Sequence, residues 1–216
     1  MLSTKYITTD DVIEIGIDEA GRGPMLGRVY SAAVVLPIDE FKHEDMKDSK
    51  KFHSQKKITA VSEYIKENAI AWCVAFSTEK EIDEVNIRNA THNAMHRAIK
   101  GVIEQLGKTE NNRLIVDGND FKPYVTFENN KYNTIPHVCI EGGDNKYTHI
   151  AAASILAKVT RDNYINDLCE QNPNLDEHYG ILKNKGYGTK QHMDGIRKNG
   201  ITDFHRKTYG ICKQFM

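Results

Sequence analysis

What this chain has little of narrows the field first. It has almost no net charge: 29 Lys and Arg stand against 30 Asp and Glu, leaving -1 at pH 7. A protein that coats nucleic acid by overall charge alone is thereby excluded, while local basic patches are not. It has only four cysteines, Cys73, Cys139, Cys169 and Cys212, widely spaced and without a C-x-x-C pair. They read as reduced, mostly buried thiols of a cytoplasmic protein, and a disulfide framework is unexpected at this size. No window approaches the roughly 18 apolar residues of a membrane span. The first residues, MLSTKYITTDD, lack the apolar h-region of a secretory signal. A soluble cytoplasmic protein without membrane contact is expected. Zinc chemistry finds no footing either. His92 and His96 form H-x-x-x-H, but Asn93 stands where a zinc protease carries Glu, and no cysteine pairs with a histidine at zinc spacing.

What is there reads as a globular chain of 216 residues, 39% hydrophobic and 27% charged, enough for one large domain with or without a small appendage. Apolar runs at 12–18 (VIEIGID), 29–36 (VYSAAVVL), 70–76 (IAWCVAF), 113–117 (RLIVD) and 134–140 (TIPHVCI) read as strands. Ser54 caps a helix through about Asn68, with Ile58, Val61 and Ile65 on one face. The clearest helical spacing runs from Glu79 to Leu106, long enough to break near Asn89. Residues 148–170 form another helix, opened by the close-packing run IAAASILA. Beyond Asn172 the chain is polar, glycine-containing and basic. Strands and helices are mixed along the chain, which points to an α/β fold with a mixed sheet and helices on its faces.

Three of these apolar runs lead into acids: Asp18 with Glu19, Asp117, and Asp144 in the loop EGGDNK. Strand ends of α/β sheets are where sites gather. Hard divalent cations take oxygen ligands, and two such ions can activate a water and stabilise the leaving oxygen of a phosphodiester. Neighbours on a straight strand point to opposite faces, so Asp18 and Glu19 need a turn to serve one site, and Gly21 permits one. Singly, each acid reads more readily as a turn former; together, the structural and functional readings balance. The glycines of Gly21-Arg22-Gly23 are not a phosphate loop, since no GK[ST] follows. They let backbone groups approach a ligand, and a ribose 2′-hydroxyl, both donor and acceptor, is a fitting one.

The run D-E-A-G-R-G-P at 18–24, then D-S-K at 48–50, V-D-G-N at 116–119, G-D at 143–144 leading into IAAASILAKVTRD at 150–162, K-G-Y-G-T-K at 185–190 and F-H-R at 204–206 resembles type 2 ribonuclease H (ribonuclease HII) from about residue 12 to residue 209. The pairing of DEAGRGP with AASILAKVTRD is specific to that family. The resemblance implies an RNase H-like mixed sheet flanked by helices over 1–170. A C-terminal helical, substrate-binding extension packed on that core is implied over 171–216. It implies cleavage of the RNA strand of RNA–DNA hybrids and incision 5′ of ribonucleotides embedded in duplex DNA, giving 3′-hydroxyl and 5′-phosphate ends. Asp18, Glu19, Asp117 and Asp144 correspond to the family's catalytic, metal-binding acids, with Mg²⁺ or Mn²⁺ in a two-metal mechanism. Gly21, Arg22 and Gly23 correspond to the loop that grips the 2′-hydroxyl. Tyr187 corresponds to the tyrosine that stacks on the deoxyribose past the junction.

GYGTKQH is similar to the bacterial, single-chain form, so a monomer is expected. The platform domain of type 3 enzymes is not expected before Ile13. Leu26, Arg28 and Phe52 depart from the family pattern at packing or rim positions. Over residues 183–213 eight basic residues face two acids. A charge run of this kind is usually a solvated face, but this one surrounds Tyr187, so phosphate contact is expected there, Arg206 included. Lys50, Lys158 and Arg161 are further candidates, although Lys158 and Arg161 could equally pair with acids such as Asp162. Two other readings stay open on residues alone: a non-catalytic nucleic-acid-binding module, and a DNA junction resolvase of the same fold class.

Overall fold

The computed structural model describes residues 2–7, 11–107, 110–128 and 130–215. A five-stranded sheet runs in the order β3 (Ala71–Ser77), β2 (Val29–Val35), β1 (Ile13–Ala20), β4 (Asn112–Asp117), β7 (His137–Ile140). β2 is antiparallel to both β1 and β3, whereas β1, β4 and β7 are parallel to one another. This is the expected mixed sheet.

Both faces are covered. Alternation sends Ile15, Ile17, Ala33, Val35, Leu114 and Val116 toward α2 (Glu79–Leu106), where Met95, Ala98, Ile99 and Val102 meet them. The opposite alternation sends Ala32 and Val34 toward α1 (Gln55–Asn68) and α3 (Thr148–Gln171). β2 is buried along its whole length, which is why it reads as a continuous apolar run rather than an alternating one. The small residues Ala151, Ala152 and Ala153 bring α3 close to the sheet. At Gly16 a Cβ would lie 2.3 Å from the His149 carbonyl carbon, so only glycine fits beneath the helix there.

Local signals act as expected at α1, where the Ser54 hydroxyl accepts from the Lys57 N–H. In α2 the break comes at Asn86, three residues before the expected Asn89. Asn86 takes φ 66°, and its side chain accepts from the Asn89 N–H, so it caps the second half of the helix. The expected single strand over 134–140 is two elements. β6 (Lys131–Thr134) forms a hairpin with β5 (Val125–Glu128), and β7 begins only after Pro136. Ile135 and Pro136 leave the sheet direction between them, and proline has no N–H to give a ladder. The hairpin escaped notice because it is exposed: Phe127 and Tyr132 are 61% and 81% accessible, so no core face imposes a pattern on it.

After α3 the chain forms three short helices, α4 (Asn174–Tyr179), α5 (Ile181–Asn184) and α6 (Lys190–Asn199), then a 3-10 turn at Gly210–Phe215. They close over a separate apolar cluster of Leu168, Leu175, Tyr179, Ile181, Ile196 and Cys212, into which Met25 and Leu26 insert from the loop after β1. Among the described residues no helix is long and apolar enough to cross a membrane.

Candidate active site

The parallel register of β1 and β4 pairs Ile17 with Val116. Asp18 and Asp117, each one residue further on, therefore leave neighbouring strands on the same face, about 4.8 Å apart along the hydrogen-bonding direction. Asp144 reaches them from the 3-10 turn Gly143–Asn145, and the Gly143 N–H donates to Asp117 Oδ1 at 2.7 Å. A Cβ on Gly143 would crowd Ile150 Cδ1 at 2.6 Å and Asp117 Oδ1 at 3.3 Å, so a larger residue there would make Ile150 shift. Asp18 and Asp144 are both buried.

The expected turn comes at the strand end, after both acids. β1 stays paired with β2 through Ala20, and the chain turns only at Gly21, with φ 95°. Asp18 and Glu19 thus leave opposite faces, as strand geometry requires. Glu19 reaches the rim of the same cleft because it stands near the strand's end, where its carboxylate pairs with Arg22 at 3.4 Å.

The cleft, about 420 Å³ in volume, is walled by these four acids, the Gly21–Gly23 loop, Ser49, Lys50, Ser154, Lys158, the Lys183–Lys185 segment and Tyr187. Its electrostatics are those of crowded like charge. Burial, then Glu19 and Asp117, push the Asp18 carboxyl well above its ordinary range. Burial, then Asp48 and Asp117, raise Asp144. Glu19 is also raised, first by burial, against the pull of Arg22. A carboxylate cluster that resists ionisation in this way favours a divalent cation, and its all-oxygen donor set suits Mg²⁺ or Mn²⁺. Among the described residues no three His, Cys, Asp or Glu side chains already form a ligand cage.

The Gly21–Gly23 loop stands beside them. A Cβ on Gly23 would touch the Tyr187 ring at 3.2 Å, so loop and ring are neighbours, and the ring is half exposed. Two arginines anchor this wall. Arg161 donates to the carbonyls of Leu26, Arg28 and Lys185. Arg206, expected at a phosphate, is instead fully buried; its guanidinium donates to the carbonyls of Gly21, Arg22 and Gly27. That expectation is corrected: the basic sequence signal was real, but the residue faces inward under the loop.

The other candidates divide. Lys50 lies in the cleft wall, close enough to pull Glu19 and Asp144 back down. Lys158 lies there too, but its ammonium is held by Asp162, the partner named as an alternative. Sequence reasoning did not single out Asp48, Ser49 or Ser154 as site residues. Ser154 bonds Asp18 and lies 3.0 Å from the Ser49 hydroxyl, while Asp48 faces Asp144. The D-S-K motif was the available signal for the first two. His92 and His96 make no metal site; they pack edge-on to Phe121.

A five-stranded mixed sheet between helices, with acids converging at the ends of its central parallel strands, defines a nuclease of the RNase H fold class. Comparison with known proteins agrees. The sequence profile of Ribonuclease HII matches residues 15–212. The Ribonuclease HII of Parabacteroides distasonis is 48% identical over 202 residues, 94% of this chain and 92% of its own. That of Phocaeicola vulgatus is 46% identical over 201 residues, 93% and 90% of the two chains. Among solved structures, the ribonuclease H2 from Pyrococcus horikoshii superposes with a TM-score of 0.71 at 22% identity, over 94% of this chain and 96% of that one. Bst-RNase HIII, crystallised with Mn²⁺, gives 0.63 at 15% identity, over 87% and 70%. At such identities these two speak for the fold alone. This chain belongs to the ribonuclease HII family and is a ribonuclease H nuclease.

Proposed function

We propose that this protein cleaves the RNA strand of RNA–DNA hybrids and incises 5′ of ribonucleotides embedded in duplex DNA, leaving 3′-hydroxyl and 5′-phosphate ends. One observation carries the reading: the Gly21–Gly23 loop and the Tyr187 ring stand side by side in the wall of the acid cleft. A device suited to reading a ribose thereby forms one wall of a site suited to phosphodiester cleavage.

Asp18, Asp117 and Asp144, with Glu19 at the rim, would hold Mg²⁺ or Mn²⁺. The ion would lower the pKa of an attacking water and offset charge on the leaving oxygen. The chain's own residues do the selecting. Backbone groups of Gly21, Arg22 and Gly23 meet the 2′-hydroxyl, which both donates and accepts. The Tyr187 ring packs on the next sugar, where a 2′-hydroxyl would collide with it. Lys50 and Lys183 line the cleft, where they would meet phosphates. Residues 1–170 then act as the catalytic part and 171–216 as the substrate-binding extension that delivers Tyr187. All of these groups lie in one chain, so it acts as a monomer.

The test is a labelled DNA duplex holding one ribonucleotide, incubated with Mg²⁺ or Mn²⁺. A nick 5′ of the ribonucleotide supports the reading. Binding without a nick supports a non-catalytic module, and equal cutting of an all-DNA duplex supports a resolvase.

A further inference from the structure

A buried cation lies beneath the Gly21–Gly23 loop. Arg206 is fully buried, yet no carboxylate pairs with it among the described residues. Three of its N–H groups go to backbone oxygens: Nη2 to Gly21 at 2.6 Å, Nη1 to Arg22 at 2.9 Å and Nε to Gly27 at 2.8 Å. The Tyr209 hydroxyl donates to the same Arg22 oxygen at 2.8 Å, and the Tyr209 ring lies 5.0 Å from the guanidinium carbon.

A trans peptide carries its C=O and the following N–H on opposite sides. Pinning the Gly21 oxygen inward therefore turns the Arg22 N–H outward, and pinning the Arg22 oxygen turns the Gly23 N–H outward. Among the described residues neither N–H meets an acceptor. Two successive donors are thereby turned away from Arg206, on a loop that lines the cleft. An isolated buried cation is costly unless its hydrogen bonds are met. Here they are met by the oxygens whose orientation matters.

We propose that Arg206, seconded by Tyr209, is the positioning residue for ribose selection, holding the Arg22 and Gly23 N–H groups toward the sugar without touching it. This rests on the reading of the loop as a ribose reader.

The test compares two DNA duplexes differing in one 2′-hydroxyl, with binding followed by fluorescence anisotropy in the absence of added metal, and amide spectra of Arg22 and Gly23 recorded alongside. Arg206→Lys keeps the charge and loses the planar fork. Expected is a loss of about tenfold in preference for the ribonucleotide duplex, the worth of a mis-set hydrogen bond or two. Affinity for the all-DNA duplex should stay as it was, and the Arg22 and Gly23 amide signals should shift or broaden while those of Thr148–Gln171 stay fixed. Tyr209→Phe, a milder change, should cost about twofold. Full preference with unchanged amides in a folded Arg206→Lys overturns the proposal. If Arg206→Lys does not fold, unchanged Arg22 and Gly23 amides and undiminished preference in Tyr209→Phe overturn it instead. If wild type itself shows no preference, the ribose reading of the loop fails, and the amide response alone decides whether Arg206 shapes it.

Discussion

The acid cleft and the C-terminal clamp beside it handle buried charge in opposite ways. In the cleft Asp18, Asp117 and Asp144 crowd together, and burial with mutual repulsion lifts Asp18 and Asp144 above their ordinary range. In the clamp Arg206 and Arg161 each spread their donors over three backbone carbonyls. Burial lowers Arg206 only to about 10, so it stays charged at neutral pH. His192 and His205 are fully buried but equally complete. The Thr202 N–H can only donate, so His205 Nδ1 accepts; its Nε2–H then donates to His192 Nε2, and His192 Nδ1–H donates to the Tyr187 carbonyl. One region keeps its electrostatics unbalanced and open to a ligand. The other is balanced internally and fixes geometry. Substitutions in the first should alter chemistry and spare the fold; substitutions in the second should act on stability and on the geometry of the Gly21–Gly23 loop.

The sharpest way to break this contrast is Asp144→Asn. Cleavage of the ribonucleotide-containing duplex should fall by at least about a thousandfold, as expected when a group that holds the metal is lost. Without metal, stability in urea should be unchanged or up to about 1 kcal/mol higher, because a repelled carboxylate has been removed. Full activity in this variant would count against the assignment of the site.

In the clamp, Arg206→Met should instead cost about 3–5 kcal/mol by leaving buried carbonyls unmet, visible as a Tm roughly 10 °C lower. Were Asp144→Asn the more destabilising of the two, the contrast would be wrong.

A third outcome concerns pH. Burial, then His192, hold the folded His205 ring down at about 3, against 6.5 for a free ring. Between those values the unfolded chain binds the extra proton and the folded one does not, so stability rises with pH across the window. Stability is full above about pH 6.5 and should be lower by on the order of 3 kcal/mol at pH 4. Urea unfolding of wild type and His205→Gln at pH 7, 5.5 and 4.5 checks this, with a shallower slope expected in the variant.

The smallest effects belong to Tyr187. Tyr187→Ala should lower ribonucleotide preference by about tenfold, in the range of a lost stacking contact, while Tyr187→Phe should stay within about twofold. Steady-state cleavage of matched substrates decides between them.

Much of this architecture was legible in sequence because local chemistry dictates it. The Ser54 cap, the buried apolar run of β2 and the periodic faces of α1 and α2 are imposed by one turn or one period of chain. Elements without a buried face were not: the exposed β5–β6 hairpin has no pattern to betray it. The position of the break in α2 depended on a single asparagine taking a left-handed conformation.

For the site, the residues themselves raised the four acids and the glycine loop, and the family resemblance decided their roles and added Tyr187. What sequence could not decide was direction. Arg206 and Lys50 are both basic residues in suggestive motifs, yet one lies wholly beneath the loop and the other stands in the cleft wall. Lys158 could serve a phosphate or Asp162 on sequence alone, and the fold gives it to Asp162. Asp18 and Glu19 are adjacent in sequence and leave opposite faces of one strand, while Asp18 and Asp117, ninety-nine residues apart, share a face. Composition and spacing specify which chemistry a chain can carry. Which face a side chain takes, and which neighbour claims its hydrogen bonds, depends on strand register and on packing between distant segments, and those exist only in the folded molecule.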